Sequence, residues 1–241
     1  MNPTFETPDY DLKVPGYDYH KGRRVTHTVA VKPIYELLEH ELMTSKSAGK
    51  EIGGGGEDLG EDPRVFHENP TVKKCSPQER KELIQAALYL DGVAYSGRRQ
   101  NPDGVLGFWI VNLKTKMRHL TCALRKSDMC QCGCGGWCSI FIVWYYIRWC
   151  LEALAEKTYP HTRLGGADWG DDFARKAVAG KDMMVRAVLL FVEALFPLTY
   201  FWRRAVAIGL WIFLTLRCTS GLEGAPGMGV YLHTTTVPLD F

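Results

Sequence analysis

Between Trp137 and Ala155 the chain reads WCSIFIVWYYIRWCLEALA, and this nearly unbroken apolar stretch limits the available folds more than any other feature. It is too long for an ordinary strand of about 5–6 residues. A membrane span is also disfavoured, because Arg148 and Glu152 lie within it and each charge near the centre of a span costs about 2.5–3.5 kcal/mol. The spacing predicts a helix over residues 138–156, buried on most of its faces. Such a helix needs a real core around it. With 46% hydrophobic and 23% charged residues in 241, the chain has the composition to build one.

A second apolar stretch, Phe191 to Leu216, is interrupted by Glu193, Pro197 and the pair Arg203-Arg204, which leaves only Ala205 to Leu216 without a break. Twelve uninterrupted residues fall short of the roughly 20 that a span requires. Residues 184–217 are nevertheless retained as a membrane-association alternative, since tilt and snorkelling arginines rescue marginal segments. The opening MNPTFETPDYDLKVPGYDYHKGRR has no apolar core of a secretory signal, so a nuclear or cytoplasmic setting is expected. Eight cysteines in such a setting point to a metal site or to buried thiols before a disulfide framework.

Charge is distributed unevenly. Residues 1–72 carry 8 basic and 13 acidic side chains, whereas residues 73–126 carry 11 and 4, although the whole chain is only +2. A strongly basic arm or an acidic tail is excluded as a description of the whole chain, and the middle becomes the place to look for a polyanion-binding surface.

The chain is expected to divide into a mostly flexible region over 1–72 with one short helix, an α/β core over 73–192, and an apolar tail over 193–241. Residues 1–32, rich in Pro, Tyr and Asp, predict a loose segment. Ile34, Leu37, Leu38 and Leu42 have helical spacing, and the stretch from Ser45 to Pro63 with its four glycines reads as a linker. Ser76-Pro77-Gln78-Glu79 is a capping-box sequence that starts a helix running to about Ala86. Strands follow at 87–91, 105–112 and 117–124, then the long helix, a shorter helix over 171–179 and a strand over 185–192. Three strands joined as hairpins, a helical crossover and a fourth strand is the order that opens a ribonuclease-H-like domain.

The phrases ALYLDGVAYS, VLGFWIVNLKTKMRHL, CQCGCGGWC and RWCLEALAEKTYP, spread over residues 77–192, resemble a group of dinoflagellate proteins. Those are similar to DDE transposases of the CACTA and Plavaka type. In that resemblance Asp91, after an apolar strand, corresponds to the first metal-binding carboxylate, and WIVNLKTKMRHL to the Asn-Leu…Arg hairpin after it. The relatives carry a second carboxylate after the fourth strand, in a Lys-Gly-Asp-Trp phrase. This chain instead reads Leu190-Phe191-Val192-Glu193-Ala194-Leu195-Phe196-Pro197. Glu193, two residues before the expected Asp position, is the nearest substitute, and strand period two would put it on the same face. The resemblance therefore implies a partial ribonuclease-H-like core and a catalytically incomplete remnant. Any surviving activity would be Mg²⁺-dependent DNA strand cleavage and transfer, which needs two or three converging carboxylates.

The densest chemistry lies at Cys130, Cys132, Cys134 and Cys138. Thiolates bind Zn²⁺ tetrahedrally, and Gly133, Gly135 and Gly136 allow the tight backbone such a loop needs. Zinc sites usually draw on two separated pairs, so Cys122, His119, Cys150 or His161 also stand as candidates for a distant ligand. A glycine-rich turn lined by small buried thiols is the other reading. Arg98, Arg99, Lys114, Lys116 and Arg118 could line a phosphate backbone or form a solvated basic face. The interleaved Tyr89, Tyr95, Phe108 and Trp109 read as core. The partners these features imply are DNA, or a protein docking on apolar surface left open by half a domain.

Overall fold

Ser76 begins the ordered approach to the main sheet. Its hydroxyl accepts the Glu79 N–H at 3.3 Å, and the Glu79 carboxylate accepts the Ser76 N–H at 2.7 Å, satisfying two donors left over at the helix start. In this computed structural model, which describes residues 9–47, 64–94 and 104–195, helix formation from that box stops early, at Glu82. The chain then turns directly into strand.

In order, the elements are β1 (Tyr10–Asp18), β2 (Arg23–Val31), α1 (Ile34–Ser47), α2 (Arg64–Glu68), α3 (Pro70–Lys74), α4 (Pro77–Glu82), β3 (Ile84–Ala94), β4 (Gly104–Asn112), β5 (Arg118–Arg125), α5 (Trp137–Glu156), α6 (Phe173–Val178) and β6 (Ala187–Leu195). They belong to a unit spanning Met1–Phe196; a second, Pro197–Phe241, lies outside the described residues.

The main sheet has strand order β5-β4-β3-β6. The first three strands are antiparallel neighbours, and β6 runs parallel to β3 after the crossover through α5 and α6. The mixed α/β architecture expected from the sequence is therefore present. Alternation along the strands separates two faces. Leu88 and Leu90, Leu106, Phe108 and Ile110, and Cys122 and Leu124 are buried on one face. Against it packs α5, with Phe108 edge-on to Trp144 at 6.2 Å. At the start of β3 the opposite face is covered by a small cluster of Phe66, Val72, Leu83, Val188 and Leu190.

The expectation of a loose segment over residues 1–32, within a mostly flexible 1–72, is corrected. From Tyr10 to Val31 the chain is an antiparallel hairpin, and Tyr10, Leu12 and Val14 on one side of β1 are at most 4% exposed. Burying three such side chains contributes about 1.5–3 kcal/mol each, enough to dock a two-stranded element that would be marginal alone. The signal was the period-two alternation of Tyr10, Leu12 and Val14 with Asp11 and Lys13. It was hidden by the turn-like composition around Pro15 and Gly16. Two further short helices, α2 and α3, lie outside the sequence expectations; Asn69 caps the second by accepting the Thr71 N–H at 2.9 Å.

The hairpin and α1 close the second side of α5. Tyr10 lies 5.9 Å from Tyr146 and 5.7 Å from Trp149, and Tyr35 lies 6.0 Å from Trp149. This sandwich explains why Trp137–Glu156, a helix long and apolar enough to cross a membrane, is mostly buried within the protein. Within the stretch 184–217, kept above as a membrane-association alternative, Ala187–Leu195 is a sheet strand, and residues from 196 lie outside the described residues.

Three buried glutamates pin α1 in place. Glu36 pairs with Arg175 at 2.7 and 3.0 Å, and Arg175 also holds Asp172 at 2.6 Å. Glu39 accepts from the Tyr159 hydroxyl and, at 2.9 Å, from the Met184 N–H. Glu41 accepts from Asn112 at 3.0 Å, from Thr115, and pairs with His119 at 2.7 Å. Burial raises the carboxyls of Glu36 and Glu39 above the ordinary range, against the opposing pull of Arg175 on one and of Tyr159 and the Met184 N–H on the other.

Candidate metal centre

The run from Cys130 to Cys138 forms the corner between the end of β5 and the first turn of α5. The corner is wound tightly: the Gly136 N–H donates to the Cys130 carbonyl and the Trp137 N–H to the Cys134 carbonyl, both at 3.1 Å. Gly136, with φ at +85°, caps the helix in a left-handed conformation. The positive φ is what favours glycine there; a Cβ would also meet the end of the flexible Met129 side chain at 2.4 Å.

This winding brings all four thiols together. The Sγ atoms of Cys130, Cys132, Cys134 and Cys138 lie within 4.8 Å of one another, with Cys132 and Cys138 at 3.7 Å; none is in a disulfide. Four thiolates ~2.3 Å from a tetrahedral ion stand ~3.8 Å apart. Cys132 and Cys138 are already at that spacing, and no pair need close by more than about 1 Å. The donor set can hold a metal ion such as zinc, and no distant ligand is needed. Among the other candidates, Cys122 and Cys150 are buried in the core, His119 is paired with Glu41, and His161 lies against Gly180. All four thiols fall within the nine residues from 130 to 138, so two separated pairs are not required.

The electrostatics suit thiolate formation. Burial pushes the Cys134 thiol up, but the Cys138 N–H at 3.5 Å, the neighbouring thiols of Cys132 and Cys138 and the Gly136 N–H outweigh it and bring Cys134 to about 6. A helix start favours a thiolate for the same reason it favours any anion. Cys138 moves the other way, to about 12, through burial and its hydrogen bonds with Cys134 and Cys132. Burial likewise raises Cys130. One thiolate thus shares its neighbours' protons, which a bound cation would displace. Across the corner, electrostatic interaction with the cysteine cluster, Cys130 foremost, raises the Arg24 guanidinium of β2.

Residues far away in sequence complete the corner. The Ser139 hydroxyl accepts the Cys130 N–H at 2.9 Å and donates to the Pro15 carbonyl of β1, and Gly16 bridges to Met129. Arg24, Ser139 and Pro15 carried no sequence signal, because their roles depend on a hairpin placed by tertiary packing.

The proposed carboxylates sit elsewhere. Asp91 is half-buried near the end of β3 and accepts the N–H of Gly92 at 2.7 Å. The parallel register sets Glu193 beside Tyr89, and Leu195 beside Asp91. Glu193 is thus one strand repeat away from Asp91, on the same face by backbone position. Among the basic candidates, Lys114 and Lys116 lie within the β4–β5 connection, and the Arg118 guanidinium lies 5.4 Å from the Tyr89 ring centroid. Arg98 and Arg99 lie outside the described residues, as does Tyr95. Phe108 is core, as expected, at 0% exposure. Tyr89 and Trp109 are not: they lie on the face away from α5 and are only half-buried. No protein family, curated protein or solved structure matches this chain.

Proposed function

We propose that the chain is a zinc-stabilised module of ribonuclease-H-like, transposase-derived architecture that binds nucleic acid without completing the catalytic site. The observation that carries the zinc reading is the convergence of four thiols within 4.8 Å at the sheet-to-helix corner. Cys130, Cys132, Cys134 and Cys138 would hold the ion, and the ion would supply folding free energy by locking the corner that joins α5, β5 and the N-terminal hairpin. The test is elemental analysis of protein purified under reducing conditions, with Cys132→Ser/Cys134→Ser alongside. About one zinc per chain is expected, lost in the double variant together with thermal stability; metal-free, fully folded wild type would refute the reading.

The ribonuclease-H-like reading is supported by the strand order β5-β4-β3-β6, with β6 parallel to β3. It is supported further by the pairing of Asp91 with residue 195, the position at which the resemblance places the second carboxylate. That position is Leu195, which is the reason for proposing binding rather than cleavage. Mg²⁺- or Mn²⁺-dependent nicking of DNA by the wild-type chain, abolished in Asp91→Ala, would overturn the inactive assignment. The DNA partner rests on the basic composition of residues 73–126 and would show as retention on single- or double-stranded DNA that weakens with salt.

A further inference from the structure

The face of the main sheet turned away from α5 forms rows across the strands. Phe191, Ala87, Val111 and Arg118 make one; Glu193, Tyr89, Trp109 and Leu120 the next; Leu195, Asp91, Gly107 and Ala123 the third. Val93, Val105 and Arg125 complete it. Three of its apolar members are open to solvent: Val93 is 54% exposed, Leu120 48% and Phe191 43%. At its centre Trp109 leans back along β4 over Gly107, so that a Cβ on Gly107 would fall 2.0 Å from the indole ring. The glycine makes room for the ring to lie along the sheet surface. Tyr89 stands beside it, centroids 5.7 Å apart, with the Arg118 guanidinium over the tyrosine.

We propose that this face binds single-stranded nucleic acid, with bases stacking on Trp109 and Tyr89 and phosphates held by Arg118 and Arg125. The proposal deepens, and rests on, the nucleic-acid-binding reading above. Charge complementarity selects the occupant: the cations of the face lie on β5, with Lys114 and Lys116 at the adjoining turn. Among the described residues, the acidic positions on this face by backbone register, Asp91 and Glu193, are on β3 and β6. A strand would therefore run its backbone along the β5 side and turn its bases inward onto the rings. A duplex hides its base faces and cannot use a stacking platform; an unpaired strand can.

The test uses the zinc-loaded full chain and a fluorescein-labelled oligothymidine of about 15 nucleotides, read by anisotropy with an unlabelled duplex as competitor. Trp109→Ala should weaken binding about 5- to 150-fold, the range for loss of one stacked base. Trp109→Phe, which keeps a ring, should restore most of it. Leu120→Glu, at an exposed site beside Trp109, should weaken binding without disturbing the fold, and so serves should Trp109→Ala unfold. Arg118→Ala should lower the salt slope by about 0.7. Unchanged affinity in Trp109→Ala and Leu120→Glu, or equal competition by duplex, would overturn the platform and leave general nucleic-acid binding intact. No binding of either form would overturn both, with the zinc reading decided separately by metal content.

Discussion

Ser139→Ala isolates the joint between the cysteine loop, α5 and the N-terminal hairpin. The serine is 1% exposed, and Cys130, whose N–H it accepts, is 0% exposed. Its hydroxyl also supplies a proton to the Pro15 carbonyl. Alanine removes both bonds in one step and offers no replacement. Orphaning the buried Cys130 donor costs about 1–3 kcal/mol, and loss of the bond to Pro15 adds about 0.5–1.5 kcal/mol. The total of about 2–4 kcal/mol corresponds to a fall in Tm of about 4–16 °C for a domain of this size. Thermal unfolding of zinc-loaded wild type and variant measures it directly. The same pair should then be compared after chelation. If the metal holds the loop against the hairpin, removing it frees the loop in both proteins, and the difference should shrink to below about 1 kcal/mol. Hydrogen exchange over residues 10–31 would rise in either case, because β1 loses the same contact. A zinc-loaded Ser139→Ala protein melting within about 1 °C of wild type would refute the idea that this side chain couples the two elements.

Two buried carboxylates give further tests. Burial holds the Glu39 carboxyl above its ordinary 4.5, so just above that pH the folded chain binds more protons than the unfolded one, and stability falls as pH rises through the window. Glu39→Gln should flatten that slope in a urea-denaturation series; an unchanged slope would show that Glu39 does not carry it. Arg175→Ala leaves Glu36 buried and unpaired and should cost about 3–5 kcal/mol, while Arg175→Met/Glu36→Met should recover most of the loss. Chemical denaturation of both decides it, and equal losses would refute the uncompensated-charge argument.

What could be read from the chain follows the reach of each signal. The capping box at Ser76, the β-branched and aromatic strand of 104–112 and the apolar helix of 137–156 are local patterns, and each appears close to its expected place. The four cysteines are legible as candidate ligands, but allowing for a distant ligand underrates how far three left-handed glycines fold a short loop back on itself. The N-terminal hairpin is not legible locally because its burial comes from α5, more than a hundred residues away. A Pro-Gly pair inside a strand looks like a turn until that packing is seen. The same applies to Glu36, Glu39 and Glu41: as sequence they are the solvent side of a short helix, and only their distant partners make them interior. Strand composition alone places Trp109 in the core. Which face of a strand is covered depends on where the helix lies, and α5 lies on the other one.

The parallel register permits one restoration experiment on the catalytic reading. Asp91 lies directly across from Leu195, and Glu193 pairs with Tyr89. A divalent ion shared by two strands needs carboxylates on adjacent positions, about 4.8 Å apart at the backbone, and a residue one repeat away is displaced by about 6.6 Å along the strand. Glu193 is therefore a poor substitute by backbone geometry, whereas Leu195→Asp restores the pair without altering Asp91. Two neighbouring carboxylates repel, so the variant should lose stability in chelator. It should regain that stability with Mn²⁺, by about 2.7 kcal/mol at a hundredfold excess over the dissociation constant. Wild type and Glu193→Gln should show no Mn²⁺-dependent shift, and Asp91→Asn added to Leu195→Asp should abolish it. A shift that persists without Asp91, or its absence from Leu195→Asp, would mean that this sheet end is not built as a cation site. The strand order would then reflect a common α/β arrangement and not a lost phosphoryl-transfer centre.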